Sequence, residues 1–433
     1  MITFLGFAMV ASFMALIMTR RMTPLVALIT VPVVFGLFAG QAAGLGAMML
    51  AGIVKLAPTS VMLMFAILYF GIMGDAGLFE PAVRRLVRLV GADPVRISIG
   101  TVALAAIVSL DGDGSTTYVI CAAALLPLYR CLDMSRLKLV SLLMLTSGVM
   151  NLTPWGGPTA RAASALGVDA SEVFVPLIPA MIGGLMFLIG LAWLFGRQER
   201  TRIGTGGPGL ETEALVALCV TPESPTRRPR LIAFNAGLTL GLLGLLAAGV
   251  LPLPILMMLA FAVAVMVNYP KLEDQKARVA AHAPNVLAVV ALIFAAGIFT
   301  GILGGTGMVD AMARSVVAMI PPQLGPYMAP ITAALSLPFT FFISNDAFYF
   351  GVLPVLSEVG GHYGVTPLAI ARASLMGQPF HLLSPLVPST YLLVTLCGVE
   401  LGDHQRFTFK WAIAAGLVMS LVAMGTLAFP LLG

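Results

Sequence analysis

The run Ser109-Leu110-Asp111-Gly112-Asp113-Gly114-Ser115-Thr116-Thr117 places two carboxylates, two glycines and four hydroxyls in one short stretch with apolar residues on both sides. Carboxylates and hydroxyls ligate hard cations or pass protons, and glycines let the backbone turn and expose its own polar groups. A charged side chain at the centre of a bilayer costs at least ~2.5 kcal/mol, so a carboxylate inside an apolar run marks a functional site by default. The Asp-x-Asp spacing matches the start of a calcium loop, but the remaining ligand positions are missing. The alternative is a polar loop lying in water.

A second polar tip, Ser344-Asn345-Asp346, lies between LPFTFFI and AFYFGVLPVL. An Asn amide can donate to a carboxylate while its carbonyl faces a cation. Two further interruptions combine proline with polar residues. In Asn151-Leu152-Thr153-Pro154-Trp155-Gly156-Gly157-Pro158-Thr159-Ala160-Arg161 a regular helix cannot continue, because proline lacks a donor and clashes with the preceding turn. The backbone groups this frees must line a cavity or be buried in protein. A half-helix starting near Pro158-Thr159 presents its amides and positive dipole end to an anion, and Arg161 in its first turn can fork onto a carboxylate. The other role open to Arg161 is a structural pair with Asp111 or Asp113. The second break runs from Gln378-Pro379-Phe380-His381 through Ser384-Pro385 to Pro388-Ser389. His381 either accepts a proton at working pH or is a hydrogen-bonded filler. Asp75 and Asp310, near two glycine clusters, belong either to the site or to the membrane interface.

The candidate solute-binding residues are therefore Ser115, Thr116, Asn151, Thr153, Gly156, Gly157, Thr159, Arg161, Ser344, Asn345, His381, Ser384 and Ser389. Asp111, Asp113 and Asp346 are candidates for facing a metal or carrying protons.

The elements that must hold these residues are membrane helices. The chain is 59% hydrophobic and 10% charged with a mean hydropathy of +1.01, which excludes a soluble globular protein. Its net charge of +5 sits in short clusters between apolar runs and reads as topology rather than nucleic-acid binding. Cys121, Cys131, Cys219 and Cys397 are scattered, with no metal-ligand spacing and no disulfide framework. Residues 3–18 are expected to be a retained first span rather than a signal peptide, since no basic segment precedes them.

The sequence also repeats itself. Gly71-Ile72-Met73-Gly74-Asp75-Ala76-Gly77 matches Gly301-Ile302-Leu303-Gly304-Gly305-Thr306-Gly307, and Arg84 and Val87 match Arg314 and Val317. Thr153-Pro154 matches Ser384-Pro385, and Gly167-Val168-Asp169 matches Gly398-Val399-Glu400. A duplicated membrane unit interrupted at corresponding places points to the binding site of a secondary transporter. The expected fold is an all-α polytopic membrane protein, an inverted repeat of two five-span units, each with a re-entrant hairpin and a broken helix. Its parts are a first repeat (1–196), a polar cytoplasmic linker (197–230) and a second repeat (231–433).

In the first repeat, spans are expected at 3–18, 23–40, 58–74, 139–167 and 173–196, with an interfacial helix at 78–90 and a hairpin at 97–128. The second follows the same plan, with spans at 231–250, 252–268, 285–304, 366–397 and 407–430 and a hairpin around 328–357. With Arg20-Arg21 inside, the clusters Arg84–Arg96, Arg130–Lys138, 197–230, Lys271–Arg278 and His404–Lys410 all fall on the cytoplasmic side. Both termini then lie outside. Five crossings per unit is an odd number, so the second unit is inverted and the two hairpin tips can meet near the midplane.

At LDGDGSTT, NLTPWGGPTARAASALGVDAS and SNDAFYFGVLPVL the chain resembles the CitMHS family, the bacterial citrate–metal:proton symporters, and the similarity extends over nearly the whole chain. The wider group resembles the divalent-anion:sodium symporters. The resemblance implies a homodimer in the lipid of the bacterial plasma (inner) membrane, with a scaffold and an elevator-type transport domain. It implies that Asp111 to Thr117 with Asn151 to Arg161 form one half-site, and Ser344-Asn345-Asp346 with Gln378 to Ser389 the other. The substrate would be citrate complexed with Mg²⁺ or Ca²⁺, moving with protons and with no permanently bound cofactor. The sodium-coupled relatives carry Ser-Asn-Thr at both tips. The extra carboxylates here fit a cationic or proton-coupled partner better. The rival readings are a carrier of another organic acid, such as a dicarboxylate or gluconate, a channel, and a membrane-embedded enzyme. The last finds no closely spaced nucleophile–base pair.

Overall fold

The computed structural model of the chain describes residues 1–19, 21–112, 114–203, 225–248, 250–384 and 386–432. The first part runs α1 (Ile2–Met18), α2 (Pro24–Phe38), α3 (Leu45–Asp75), α4 (Glu80–Val90), α5 (Pro94–Val108), α6 (Gly114–Cys131), α7 (Arg136–Met150), α8 (Gly157–Leu166), α9 (Ala170–Phe174) and α10 (Ile178–Ile203). The second runs α11 (Ile232–Ala247), α12 (Leu253–Asn268), α13 (Leu272–Gly305), α14 (Met308–Val317), α15 (Met328–Phe342), α16 (Leu353–His362), α17 (Pro367–Ser374), α18 (Gln378–His381), α19 (Pro388–Cys397) and α20 (Leu401–Gly425). Among the described residues there is no strand. That is the all-helical, polytopic class the composition demands, because a helix satisfies its backbone polar groups internally where lipid offers no partner.

Local sequence sets several helix starts. Thr23-Pro24, Asp93-Pro94 and Thr366-Pro367 each place a capping oxygen just before a proline in the first turn. The side chains accept from the amides of Val26, Val95 and Ala369. Left-handed glycines close corresponding helices of the two parts. Gly77 (φ +88°) follows α3 and Gly307 (φ +69°) follows α13; Gly167 (φ +64°) ends α8 and Gly398 (φ +63°) ends α19.

Among the described residues, six segments are long and apolar enough to cross a membrane: Leu45–Asp75, Pro94–Asp111, Ala170–Ile203, Pro229–Leu246, Leu272–Gly305 and Leu401–Gly425. Shorter apolar helices, including Ile2–Ile17, Pro24–Phe38 and Leu253–Asn268, accompany them. Three boundaries differ most from the sequence expectation. Helix α3 begins at Leu45 rather than 58 and carries Pro58 inside it, so residues 45–57 are helix and not an outer loop. Helix α13 begins at Leu272 rather than 285 and carries Pro284 inside it. At 31 and 34 residues these helices exceed the ~20 that span a bilayer.

Helix α10, finally, continues to Ile203 instead of yielding to polar linker at 197. Ion pairs hold that extension down: Glu199 with Lys138 at 2.8 Å and Arg202 at 2.8 Å, and Arg200 with Asp93 at 2.5 Å. Burial pushes the Asp93 carboxyl up, but the Arg200 hydrogen bond and the Val95 amide outweigh it and hold the group below its usual range. The remaining linker expectation, with Cys219, falls largely on 204–224, outside the described residues.

The centre of the molecule is the crossing of α3 and α13. Gly52 meets Gly297 and Gly301, while Gly71 meets His282, so the two helices run antiparallel. Gly297, Gly301 and Gly305 recur every fourth residue, and Gly301 and Gly305 pack on Met48. Such a groove lets two backbones approach closely, where dispersion replaces the hydrophobic force that lipid cannot supply. Helices α11 and α12 attach through reciprocal amide bonds between Asn235 and Asn268, both 2.8 Å, and through Tyr69 to Thr239 at 2.9 Å.

Candidate functional site

Four interruptions meet beside this crossing. The α5–α6 hairpin turns through a short 3₁₀ segment, Ser109–Asp111, and Gly112 in the left-handed conformation (φ +75°). The α15–α16 hairpin turns at Ser344-Asn345 and re-enters through a π-helical turn, Ala347–Val352. The Ser344 hydroxyl accepts from the Ala347 amide at 3.2 Å. The first broken span unwinds between Met150 and Gly157. The second keeps Gln378–His381 helical, and the described residues between His381 and α19 are unwound. The break is therefore shorter than Gln378–Ser389, because Pro379 sits in a first turn, where its missing donor costs nothing.

Each hairpin is fastened to the break in its own part. Trp155 Nε1 donates to the Leu110 carbonyl at 2.8 Å. Ser384 donates to the Phe341 carbonyl at 2.6 Å, and His381 Nδ1 lies 2.6 Å from the Thr340 carbonyl, to which it must donate. Gln378 Nε2 donates to Tyr349 at 2.8 Å and reaches Asn345 Oδ1 at 3.4 Å. Thr159 closes the first break by donating to the Leu152 carbonyl at 3.0 Å, and Thr390 closes the second onto Leu382 at 2.5 Å. These bonds occupy the hydroxyls of Thr159 and Ser384 and one ring nitrogen of His381 within the fold. Gly156 is equally structural, since a Cβ there would run into the Asn151 carbonyl oxygen.

The two parts are joined to each other by the residues with the strongest chemistry. Arg161 Nε donates to Asp346 Oδ1 at 2.6 Å, with 21% and 13% of the side chains exposed. The structural-pair reading of Arg161 named Asp111 or Asp113; its carboxylate partner is Asp346, from the other hairpin. Gly157 leaves the space that the guanidinium fills, for a Cβ there would stand 2.7 Å from Nη1. Ser389 Oγ lies 3.7 Å from where a Cβ on Gly114 would stand, so α19 of one part begins beside α6 of the other. Helices α6, α8 and α19 and the turn after Asp346 thus all start at this junction, and their positive ends favour an anion. Thr153 Oγ1 and Gln378 Oε1 are buried polar atoms with no partner among the described residues.

A cavity of 730 Å³ opens onto the junction. Asp111, Gly112, Thr116, Trp155, Gly157 and Arg161 line one wall; Gly71, Gly74, Asp75, His282 and Asn285 line the other. The volume suits a small organic solute. Asp75 is thus a cavity residue, whereas Asp310 is exposed on α14. Asp113 lies outside the described residues. His282 and Asn285 carry no local motif; their only mark in the sequence is polarity four and seven residues beyond Arg278 at the head of an apolar helix. No three His, Cys, Asp or Glu side chains among the described residues cluster as a metal site.

The Gly112 turn is testable. Gly112→Ala forces a side chain into the left-handed region, at about 1–2 kcal/mol, and puts its Cβ 2.9 Å from Trp155 Cδ1. The expected result is a lower melting temperature and a red-shifted tryptophan emission as the Trp155–Leu110 bond is lost. Unchanged emission would show that the turn can relax without moving Trp155.

The geometry has close parallels among known proteins. The citrate transporter family model, CitMHS, matches residues 7–377. A citrate transporter of Bacillus subtilis (strain 168) is 54% identical over 428 residues, covering 98% of both chains. A Mg²⁺/citrate complex secondary transporter of the same organism is 50% identical over the same coverage. Among solved structures, the YdaH transporter of Alcanivorax borkumensis aligns with a TM-score of 0.59 at 16% identity, covering 91% of this chain and 90% of that one. The MtrF efflux pump of Neisseria gonorrhoeae also aligns at 0.59, with 14% identity, over 90% and 85%. At such identities the likeness concerns the fold alone, which is that of these transporters. With a family model over most of its length and relatives above half identity, the chain belongs to the CitMHS citrate transporter family and is a multi-pass membrane transporter, not an enzyme.

Proposed function

We propose that the protein imports citrate as a complex with a divalent cation, Mg²⁺ or Ca²⁺, together with protons, across the bacterial plasma membrane. The reading rests above all on the Arg161–Asp346 pair, whose arginine lines the cavity. In the unloaded site the carboxylate of Asp346 occupies the guanidinium that a citrate carboxylate needs. Protonation of Asp346 frees Arg161, so a proton and an anion are taken up together. Helix N-termini and the hydroxyl of Thr116 hold further citrate oxygens, and Ser115, Asn151, Thr153, Asn345 and Ser389 are assigned by the same proposal to complete the site. Asp111 faces the metal, which accepts hard oxygen donors, and Asp113, outside the described residues, is assigned the same role. The 50%-identical relative named for a Mg²⁺/citrate complex supports this substrate. The metal in this proposal is cargo rather than a resident ion.

In the same proposal the two parts are inverted repeats of a homodimer whose hairpins and broken helices move as an elevator against α3 and α13. Both termini lie outside and 197–230 lies in the cytoplasm. The antiparallel α3–α13 crossing supports the inversion. A second cavity of 640 Å³, lined by Lys55, Gly52, Ser164, Gly301, Gly305 and Glu358, stands at the other end of that crossing, as alternating access requires.

In proteoliposomes holding the purified chain, citrate uptake is expected to need Mg²⁺ or Ca²⁺ and to rise with an inward proton gradient. Equal uptake in excess chelator would remove the metal from the reading, and indifference to the gradient would remove the protons. Unlabelled dicarboxylates, tricarboxylates and gluconate are expected to compete more weakly than metal-bound citrate.

A further inference from the structure

A second charged group lines the cavity and has no part in the binding just described. Asp75 is the last residue of α3. His282 Nε2 lies 2.9 Å from its Oδ2, and Arg278 Nη1 lies 3.2 Å from the same oxygen. About a fifth to a quarter of each side chain is exposed. His282 and Asn285, one turn apart on α13, face the cavity that Asp111 and Arg161 line from the other wall.

The two ends of the α3–α13 crossing are built differently. The repeat that pairs Gly71 with Gly301 also pairs Asp75 with Gly305, and Gly52 with His282. At one end Gly301 packs on Gly52, backbone against backbone. At the other, the imidazole of His282 packs on Gly71, its Nδ1 and Cε1 both 2.7 Å from where a Cβ would stand. Packing alone is satisfied by glycine at this position, as the opposite end demonstrates. The cavity at that opposite end has glycines where this one has a histidine and an aspartate.

We propose that Asp75 and His282 are the station through which protons pass between the transport site and water on the cytoplasmic side. The inference rests on the proton-coupled reading above and adds a route to it. Next to a carboxylate, Nε2 must carry the hydrogen, which leaves the lone pair on Nδ1. A proton leaving the loaded site bonds to Nδ1, and the resulting imidazolium is neutralised by the Asp75 carboxylate. The same proton then departs to cavity water, and the neutral imidazole beside the Asp75 carboxylate is restored. Arg278 Nη1 holds the same Asp75 oxygen.

The other charged and titratable groups about the pair come from each packed element. They are Asp274 on α13, Glu80 on α4 paired with Arg227 at 2.6 Å, Arg228 and Tyr269 beside the end of α12, and Asp111 and Arg161 across the cavity. Carboxylates and arginines are interleaved here, so no single-sign field overrides the histidine. The end bearing Arg278 is the one that charge bias assigns to the cytoplasm.

The test is His282→Gln and Asp75→Asn in full-length protein in liposomes, following labelled citrate with Mg²⁺ and lumenal pH with a dye. Citrate/citrate exchange needs no net proton release, whereas net uptake does. Net uptake in both variants is expected to fall about tenfold and to lose its dependence on cytoplasmic-side pH. Exchange and calorimetric Mg²⁺–citrate binding are expected to stay within about twofold, which also reports correct folding. Equal losses of exchange and net uptake, or an unmoved pH profile, would overturn the assignment and leave the pair a structural clasp. A wild type that binds Mg²⁺–citrate without moving protons would instead overturn the proton-coupled reading itself.

Discussion

Arg161→Ala is expected to lower citrate uptake by at least about 100-fold, because it removes the anion-holding cation and strands Asp346 in a largely buried position. Removing one partner of such a pair costs about 3–5 kcal/mol, and each 1.4 kcal/mol is about tenfold in affinity. Arg161→Lys is expected to recover little, since an ammonium cannot reproduce the planar fork that matches a carboxylate. Asp346→Asn separates the two roles. It keeps a polar partner for the guanidinium while removing the titrating group, so binding is expected to persist and the response to a proton gradient to vanish. Combining Arg161→Ala with Asp346→Asn should restore thermal stability but not transport. Calorimetry, melting curves and uptake distinguish these outcomes. Uptake by Arg161→Ala within about threefold of wild type, under half a decade, would sink the assigned role of Arg161.

The second large effect is structural. Gly52→Val is expected to disrupt the α3–α13 crossing, for its Cβ would land on the Gly297 carbonyl oxygen with the Gly301 backbone 3.0 Å away. Overpacking usually costs about 1–3 kcal/mol because side chains give way. Here the obstacle is backbone, so the helices themselves must separate, and the walls of both cavities move with them. The expected result is a lower yield, a lower melting temperature in detergent and loss of citrate binding. Gly46→Ala, on the same helix with nothing within 4 Å of the new Cβ, is the matched control. It should be neutral or slightly stabilising through helix propensity. Similar behaviour of the two variants would show that the glycine contact is not what sets the crossing.

The polar interruptions were legible in the chain because lipid penalises them so heavily. Asp111, Ser344-Asn345-Asp346 and the Asn151–Arg161 break stood out against apolar flanks, and the left-handed Gly167 and Gly398 fell where the duplicated Gly-Val motifs put them. Element limits were less legible where proline or charge gave a false stop. Pro58 and Pro284 sit inside long helices, and residues 197–202 prolong α10 because Lys138 pairs with Glu199, Asp93 with Arg200 and Asp133 with Arg202. Among the candidate hydroxyls, that of Thr159 donates across the first broken span and that of Ser384 donates to the neighbouring hairpin. A hydroxyl has the same composition whether it serves a solute or a carbonyl.

The sequence by itself determined the class, the duplication and the places where helices must fail, because these follow from local costs: apolar length, missing donors and charge in hydrocarbon. Only the tertiary structure decided which polar groups meet. Arg161 had carboxylates nearby in the chain, yet it pairs with Asp346, 185 positions away. His282 joined Asp75 only because glycine at 71 let α13 lie close enough for its ring. Such choices depend on how two antiparallel helices settle against each other, and that geometry is fixed by the whole packed assembly rather than by any one segment.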